Sequence, residues 1–217
     1  MVKILKVLKK KYFFLKPGIK TRLAEFEQTW QKGTEARIFE ELIFCLMTPQ
    51  SRAKLCWEAV RRIRVNESLK KNRLSSIVKC MKGVRFRNTK AGYIRRAREF
   101  FLEKDRLNIR DKLDQALRYG VMEARDWLVK NVKGFGYKEA SHFLRNIGFG
   151  KDIAILDRHI LKNMVRYSVI KEIPKSLHRK KYIELEEKLK KFATKTKIPL
   201  SHIDLLFWAA ETGEIFK

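Results

Sequence analysis

VKGFGYKEASHFL, residues 132–144, is the stretch on which the reading of this chain turns. Residues 122–132 before it and 138–147 after it both carry helical patterning, so about five residues reverse the chain. Gly134 and Gly136 permit positive φ at both places and let the backbone approach another group closely. A tight turn that leads into a helix start presents amide N–H groups outward, and together with the helix dipole these bind an anion. Ala140 is small and lets the two helices pack closely. A pair of glycines also serves plain helix–helix turns. The weight therefore falls on the whole run: apolar, x, Gly, apolar, Gly, three residues, Ala, then SHFL. Lys133, just before the first glycine, adds a charge beside the anion site.

Working outward, the patterning is helical nearly throughout. Residues 19–31 are amphipathic. Residues 35–47 end in LIFCLM, apolar all round as in a buried central helix, and Pro49 accounts for the stop. Ser51 is the expected cap of the next helix, to about Arg62. A shorter helix follows from Asn72 to Met81, closed by Gly83. Asn88 is the expected cap of a helix to about Glu103, with Ala91, Ile94, Ala97 and Phe101 inward. Residues 110–119 make one more. In IPLSHIDLLFWAAETGEIFK, Ser201 with Asp204 reads as a capping box, Gly213 as the stop, and Ile203, Leu206, Phe207 and Ala210 as the apolar stripe. Strand alternation, repeats and low-complexity linkers are absent from the pattern, so an all-α fold is expected.

Composition narrows the partners. Of 217 residues, 51 are Lys or Arg and 24 are Asp or Glu, a net charge of +27. Such a field favours polyanions, nucleic acid first, with a ribosome-bound or generally adhesive basic protein as the plain alternative. The three cysteines, Cys45, Cys56 and Cys80, are too few for a disulfide framework or a four-cysteine iron–sulfur site, and Cys45 reads as core. MVKILKVLKKKYFFLKPG contains neither a signal-peptide core nor a membrane span. A soluble, intracellular monomer without cofactor, metal or membrane partner is expected.

Asp157, in IAILDRHILKNMV, stands where the cap of a helix with stripe Ile160, Leu161, Met164 and Val165 belongs. It can be a cap and nothing more. Reach permits more: helix 138–147 rises about 15 Å, whereas the nine residues 148–156 extend up to about 30 Å. The chain can double back, with Gly148 and Gly150 at the reversal, and set Asp157 beside Lys138. A lysine amine attacks only when neutral, and apolar burial or nearby cations favour that form. A carboxylate at a helix start stays ionised and can orient or deprotonate the amine, or stabilise positive charge developing on a sugar.

At these residues the chain resembles the helix-hairpin-helix DNA glycosylases whose hairpin is followed by a glycine-containing loop and an aspartate. It is most similar to the short prokaryotic 8-oxoguanine DNA glycosylase/AP lyases. KGFGYKEASHFLRNIG, AILDRHIL, IPKSLHRKKYIELE and the final lysine carry the resemblance across about residues 125–217; FCLMTPQSRA and VRFRNTKAGYI extend it more loosely. It departs from the pattern at Lys133, where proline is usual, and in lacking a proline before Asp157. The resemblance implies that Lys138 attacks C1′ of the damaged nucleotide, displaces the base and leaves a Schiff base. Asp157 activates the amine and stabilises the cationic state, and β-elimination nicks the strand. It also implies two helical subdomains flanking a DNA-binding cleft: residues 36–150 with the hairpin, and residues 1–35 with 151–217.

Chemistry at C1′ requires the nucleotide to leave the stack, and the gap must be filled. Phe86, between Arg85 and Arg87 in the link between two helices, suits a wedge with arginines on phosphates or base edges; otherwise it tucks into the core. Gln50, in the MTPQ turn, is a candidate for the orphaned partner base. Gly134, Phe135, Gly136 and Lys133 complete the expected DNA contacts. For the base pocket, His142 lies one turn beyond Lys138 on the same helix face, and Trp208 offers a ring for stacking. Both equally suit packing. The resemblance adds Lys217, folded into the pocket. 8-Oxoguanine carries an N7–H donor that guanine lacks, so discrimination requires an acceptor that guanine leaves unmatched. Three functions stay open to the residues alone: this excision from double-stranded DNA, excision of another damaged or mismatched base, and non-enzymatic binding through the hairpin.

Overall fold

The computed structural model describes residues 2–69 and 73–216, with side chains described from residue 4. The helices are α1 (Val2–Lys32), α2 (Glu35–Met47), α3 (Ala53–Val65), α4 (Leu74–Cys80), α5 (Arg87–Phe101), α6 (Ile109–Leu117), α7 (Val121–Asn131), α8 (Tyr137–Asn146), α9 (Arg158–Arg166), α10 (Arg179–Thr196) and α11 (Leu200–Thr212). Among the described residues the fold is all-α but for one two-residue antiparallel pair, β1 (Leu102–Glu103) with β2 (Arg106–Leu107). The sequence pattern does not reveal that hairpin. Two residues are too few for alternation to register, and its turn places Lys104 and Asp105, not glycine, at positive φ. Among the described residues no helix is long and apolar enough to cross a membrane.

The chain divides into two compact units, Thr29–Phe143 and Met1–Gln28 with Leu144–Lys217. The divisions fall inside α1 and α8. A continuous helix can serve two cores: Ala140 and Phe143 of α8 are buried in the first unit, while Arg145 meets Asp204 and Phe26 in the second.

In unit Thr29–Phe143, α2 is central. Residues 38–47 are all buried, and α3, α5 and α6 pack around them. Its two buried carboxylates are answered by guanidinium groups, Glu41 by Arg37 at 2.7 Å and Glu40 by Arg64 at 2.7 Å. Thr34 caps α2, its hydroxyl accepting from Arg37 N at 3.2 Å. Ala91, Ile94, Ala97 and Phe101 of α5 face inward as expected. The caps expected of Ser51 and Asn88 are not formed. Arg52 holds the cap position of α3 and Phe86 that of α5, neither with a side-chain bond, and Asn88 lies within the helix. Ser51 is drawn instead to Lys90 and to the amide of Arg85. The expected start of α4 at Asn72 lies outside the described residues. All three cysteines are buried thiols, and burial pushes that of Cys56 up to about 11.

In the other unit, α1 runs straight through Pro17, longer than the 19–31 segment legible in the pattern. α11 begins at Leu200 after Pro199, so the capping box expected of Ser201 and Asp204 is absent. Asp204 turns inward to Arg145, Nε to Oδ2 at 3.3 Å. A proline ahead of the first turn presets the helix entry, which leaves the acidic residue for the core pair. Gly213 closes the helix at φ 81° as expected.

His202 of α11 bonds Tyr12 of α1, Nδ1 to hydroxyl at 3.0 Å. Burial, then the charges of Lys20 and Lys16, hold the imidazole below its ordinary pKa. A depressed folded value means that protonation costs the native state more than the unfolded chain. This contribution is complete above the unfolded value of about 6.5 and is lost as the pH falls through the lowered folded value. Urea unfolding at about pH 7.5 and about pH 5.5 is expected to show lower stability in acid, and a His202→Gln chain to lose part of that difference. An identical pH dependence in the variant would remove His202 from the account.

Candidate active site

The turn between α7 and α8 is pinned from both helices. Tyr137 of α8 donates its hydroxyl to Asp126 Oδ1 of α7 at 2.7 Å. The buried Arg125 donates from Nη1 to Ser141 Oγ at 3.2 Å and lays its guanidinium over the Tyr137 ring. Gly134 has φ 98°, and a Cβ there would collide with the Tyr93 ring, so this position requires glycine twice over. Gly136 does not adopt positive φ, contrary to expectation. It stands at the cap of α8, where its N–H donates to Glu139 Oε2 at 3.2 Å and its carbonyl accepts the first helical bond from Ala140. Glu139 is thus the reciprocal half of a capping box, readable three residues after Gly136 yet missed.

Two residues of this turn are engaged within the protein itself. The Phe135 side chain is buried against Phe143, with ring centroids 6.2 Å apart, and its amide donates to Val132 O at 3.0 Å. Phe135 anchors the turn to the core, and with the Gly136 amide also taken, an anion is left the first-turn amides of α8. Lys133 is exposed beside them.

Lys138 is the second residue of α8. Its side chain is 21% exposed, and Nζ lies 3.6 Å from Glu139 Oε1. Nζ donates to Thr48 Oγ1 at 3.2 Å, and that hydroxyl in turn donates to Cys45 O at 3.0 Å. The MTPQ turn after α2 therefore steadies the lysine head, a role the sequence reading did not assign to Thr48. His142, one turn along, is only 6% exposed and stands edge-on to Phe44 at 5.5 Å between centroids. It is a core side chain.

Gln50 and Phe86 are exposed, and both hold the left-handed conformation, φ 55° and 56°. Phe86 is 58% exposed, with the Arg85 guanidinium 5.6 Å over its ring; Arg87, the next residue in the chain, is exposed as well. The alternative of a core-packed Phe86 is not what the structure shows.

In the unit Met1–Gln28 with Leu144–Lys217, Asp157 caps α9, its Oδ1 accepting from Ile160 N at 2.8 Å. The loop ahead of it leaves α8 at Gly148, whose φ of 98° lies where a Cβ would press on Glu27. Residues 153–156 are buried and tied to α10. Ala154 N donates to Glu186 Oε1 at 2.7 Å, and the Tyr182 hydroxyl accepts from Leu156 N at 3.1 Å while donating to Ala154 O at 2.7 Å. Tyr182 and Glu186, one helical turn apart, thus hold the backbone that delivers Asp157. Their i, i+4 spacing in YIELE was the available signal. Burial raises the pKa of Asp204 against the opposing pull of Arg145, and the Asp157 charge adds a smaller push in the same direction as burial. Trp208, half-buried, meets the His159 ring edge-on at 4.9 Å; Trp208 Nε1 and His159 Nδ1 are buried without a hydrogen-bond partner among the described residues. Lys217 lies outside the described residues.

Comparison with known proteins places this geometry in a lineage. The family model described as 8-oxoguanine DNA glycosylase matches residues 19–198. A relative named 8-oxoguanine DNA glycosylase/AP lyase from Fusobacterium nucleatum is 42% identical over 210 residues, 97% of this chain and 96% of its own length. One of the same name from Methanocaldococcus jannaschii is 37% identical and covers both chains in full. Among solved structures, the 8-oxoguanine DNA glycosylase of Thermotoga maritima matches with TM-score 0.87 at 33% identity over the whole of both chains. The M. jannaschii 8-oxoguanine glycosylase/lyase in complex with a 15mer DNA containing 8-oxoguanine matches with TM-score 0.85 at 33% identity, over 99% of this chain and 100% of that one. On its sequence and on its fold alike, this chain belongs to the 8-oxoguanine DNA glycosylase family.

Proposed function

We propose that this chain excises 8-oxoguanine from double-stranded DNA and nicks the strand at the resulting site. Full-length similarity to relatives named glycosylase/AP lyase supports the reading. The observation that carries it within this chain is Lys138, in the first turn behind the hairpin, with its amine held by Thr48; Asp157, at the cap of α9 in the other unit, supplies the carboxylate that the reading requires. The Lys138 amine, in its unprotonated form, attacks C1′ with its lone pair, the bond to the base breaks with its electron pair going to the base, and the proton that the amine loses passes by way of Asp157 to the departing base. Asp157 also faces the positive charge that develops on the sugar. Opening of the ring leaves a Schiff base on Nζ. Loss of a C2′ proton then expels the 3′ phosphate, which is the nick.

In this reading Phe86 fills the gap left by the everted nucleotide and Gln50 meets the orphaned base. Arg85, Arg87 and Lys133 meet phosphates, as do the first-turn amides of α8. Trp208 and Lys217 belong to the base pocket; the unpartnered Trp208 indole N–H suits a site that a polar ligand completes. Borohydride trapping on duplexes carrying 8-oxoguanine, an oxidised pyrimidine or a mismatch tests the proposal. The 8-oxoguanine duplex is expected to trap best. Preferential trapping on another lesion would reassign the substrate, and trapping on none would leave a nucleic-acid binder.

A further inference from the structure

Lys90 is a lysine in the core. It is 4% exposed, and its Nζ donates to three acceptors: Met47 O at 2.7 Å, Pro49 O at 2.6 Å and Ser51 Oγ at 3.0 Å. Three acceptors match the three N–H bonds of an ammonium, and no carboxylate is among them. All three come from the five-residue turn that ends α2 and carries Gln50. Ser51 Oγ also accepts from the backbone N–H of Arg85 at 3.1 Å. One hydroxyl therefore ties residue 51, next to Gln50, to residue 85, next to Phe86. Lys90 itself lies one turn into the helix that Phe86 begins, its N–H bonded to Phe86 O at 3.0 Å. Gln50 and Phe86 both hold a backbone conformation that side-chain-bearing residues rarely adopt, and such positions persist only where the surroundings impose them.

We infer that Lys90, through Ser51, is a positioning residue that sets Gln50 and Phe86 as one rigid edge for probing the duplex. The inference rests on the proposed excision of a flipped base and adds the device that holds the two probing side chains in register. Lys90 reaches no DNA; its charge organises carbonyls that would otherwise point at one another. A hydrophobic or shorter side chain at 90 would leave Met47 O only the weak Cys56 thiol donor at 3.3 Å and Pro49 O only the Ser51 hydroxyl at 3.5 Å, and so loosen the turn. Small displacements of groups that must meet a substrate cost rate far more than they cost binding.

Single-turnover excision from an 8-oxoguanine duplex, with enzyme in excess, reads the edge. Trapping at a preformed abasic site in a single strand reads Lys138 without it. Ser51→Ala is expected to slow duplex excision about 10-fold while single-strand trapping changes by less than about 3-fold; Lys90→Met, which also frees Thr48 beside Lys138, is expected to slow duplex excision about 100-fold and single-strand trapping by much less. In a Phe86→Ala background, Ser51→Ala is expected to cost little further, because the two act as a unit. Equal losses on duplex and single strand would overturn the inference. So would a Ser51→Ala effect of the same size with and without Phe86, or duplex excision unchanged in both single variants. Should Lys90→Met not fold, Ser51→Ala and its pairing with Phe86→Ala decide alone. If the unaltered chain traps on no lesion, the excision reading itself falls and this inference with it, an outcome distinct from every variant-specific one.

Discussion

Lys138→Gln is expected to eliminate borohydride trapping and to slow excision by at least about a thousandfold, since a covalent nucleophile is lost outright. The fold should survive. Lys138 is partly exposed, and its described polar partners are the Thr48 hydroxyl and the neighbouring Glu139 carboxylate, both of which a glutamine amide can still meet. Thermal unfolding should therefore change little. DNA affinity should fall by no more than a single lost phosphate contact allows, with the salt slope reduced by about one at most. Trapping, affinity and melting measured on the same preparation separate the possibilities. A variant that still traps on 8-oxoguanine would move the nucleophile elsewhere. One that loses affinity and trapping in parallel would make Lys138 a phosphate clamp.

Asp157→Asn is the second large effect, and here the cap makes the experiment clean. Asparagine and aspartate are comparable N-caps, so the bond to Ile160 N, and with it the start of α9, is retained. Only the charge is removed. Excision is expected to fall by about 100-fold or more, the scale of losing an acid–base group, at nearly unchanged stability. Asp157→Ala should lose the same activity and in addition about 0.5–2 kcal/mol of stability from the missing cap. Parallel rate and urea-unfolding measurements on the two variants check this. If Asn retained activity while Ala lost both, Asp157 would be a cap and nothing more.

Much of this molecule is legible in one dimension, wherever a physical rule acts over a few neighbouring residues. The helical periodicity, the apolar α2, the stop at Pro49, the Gly134 turn, the Gly213 stop and the Asp157 cap all obey such rules, and each is where the pattern put it. The errors share a cause as well. Ser51, Asn88, Ser201 and Asp204 have the chemistry of caps, but a more distant charged partner claimed two of them, Lys90 taking Ser51 and Arg145 taking Asp204, while Asn88 lies inside the helix behind Phe86. Hydrogen bonding to a charged, buried partner outweighs a solvent-exposed cap, and nothing in a local window announces that partner.

The same holds for the site. Lys138 and Asp157 stood out because their spacing and neighbours resemble a known constellation. Thr48, Lys90, Tyr182 and Glu186, which hold the surrounding backbone, carried no comparable mark. Lys90 is one of 51 basic residues, and along the chain it looks like any surface charge. Its meaning arises only when α5 folds onto the end of α2 and three oxygens converge on one ammonium. Local steric and solvation preferences are written into neighbouring residues; the satisfaction of a buried charge depends on groups some forty positions away, which folding alone brings within reach.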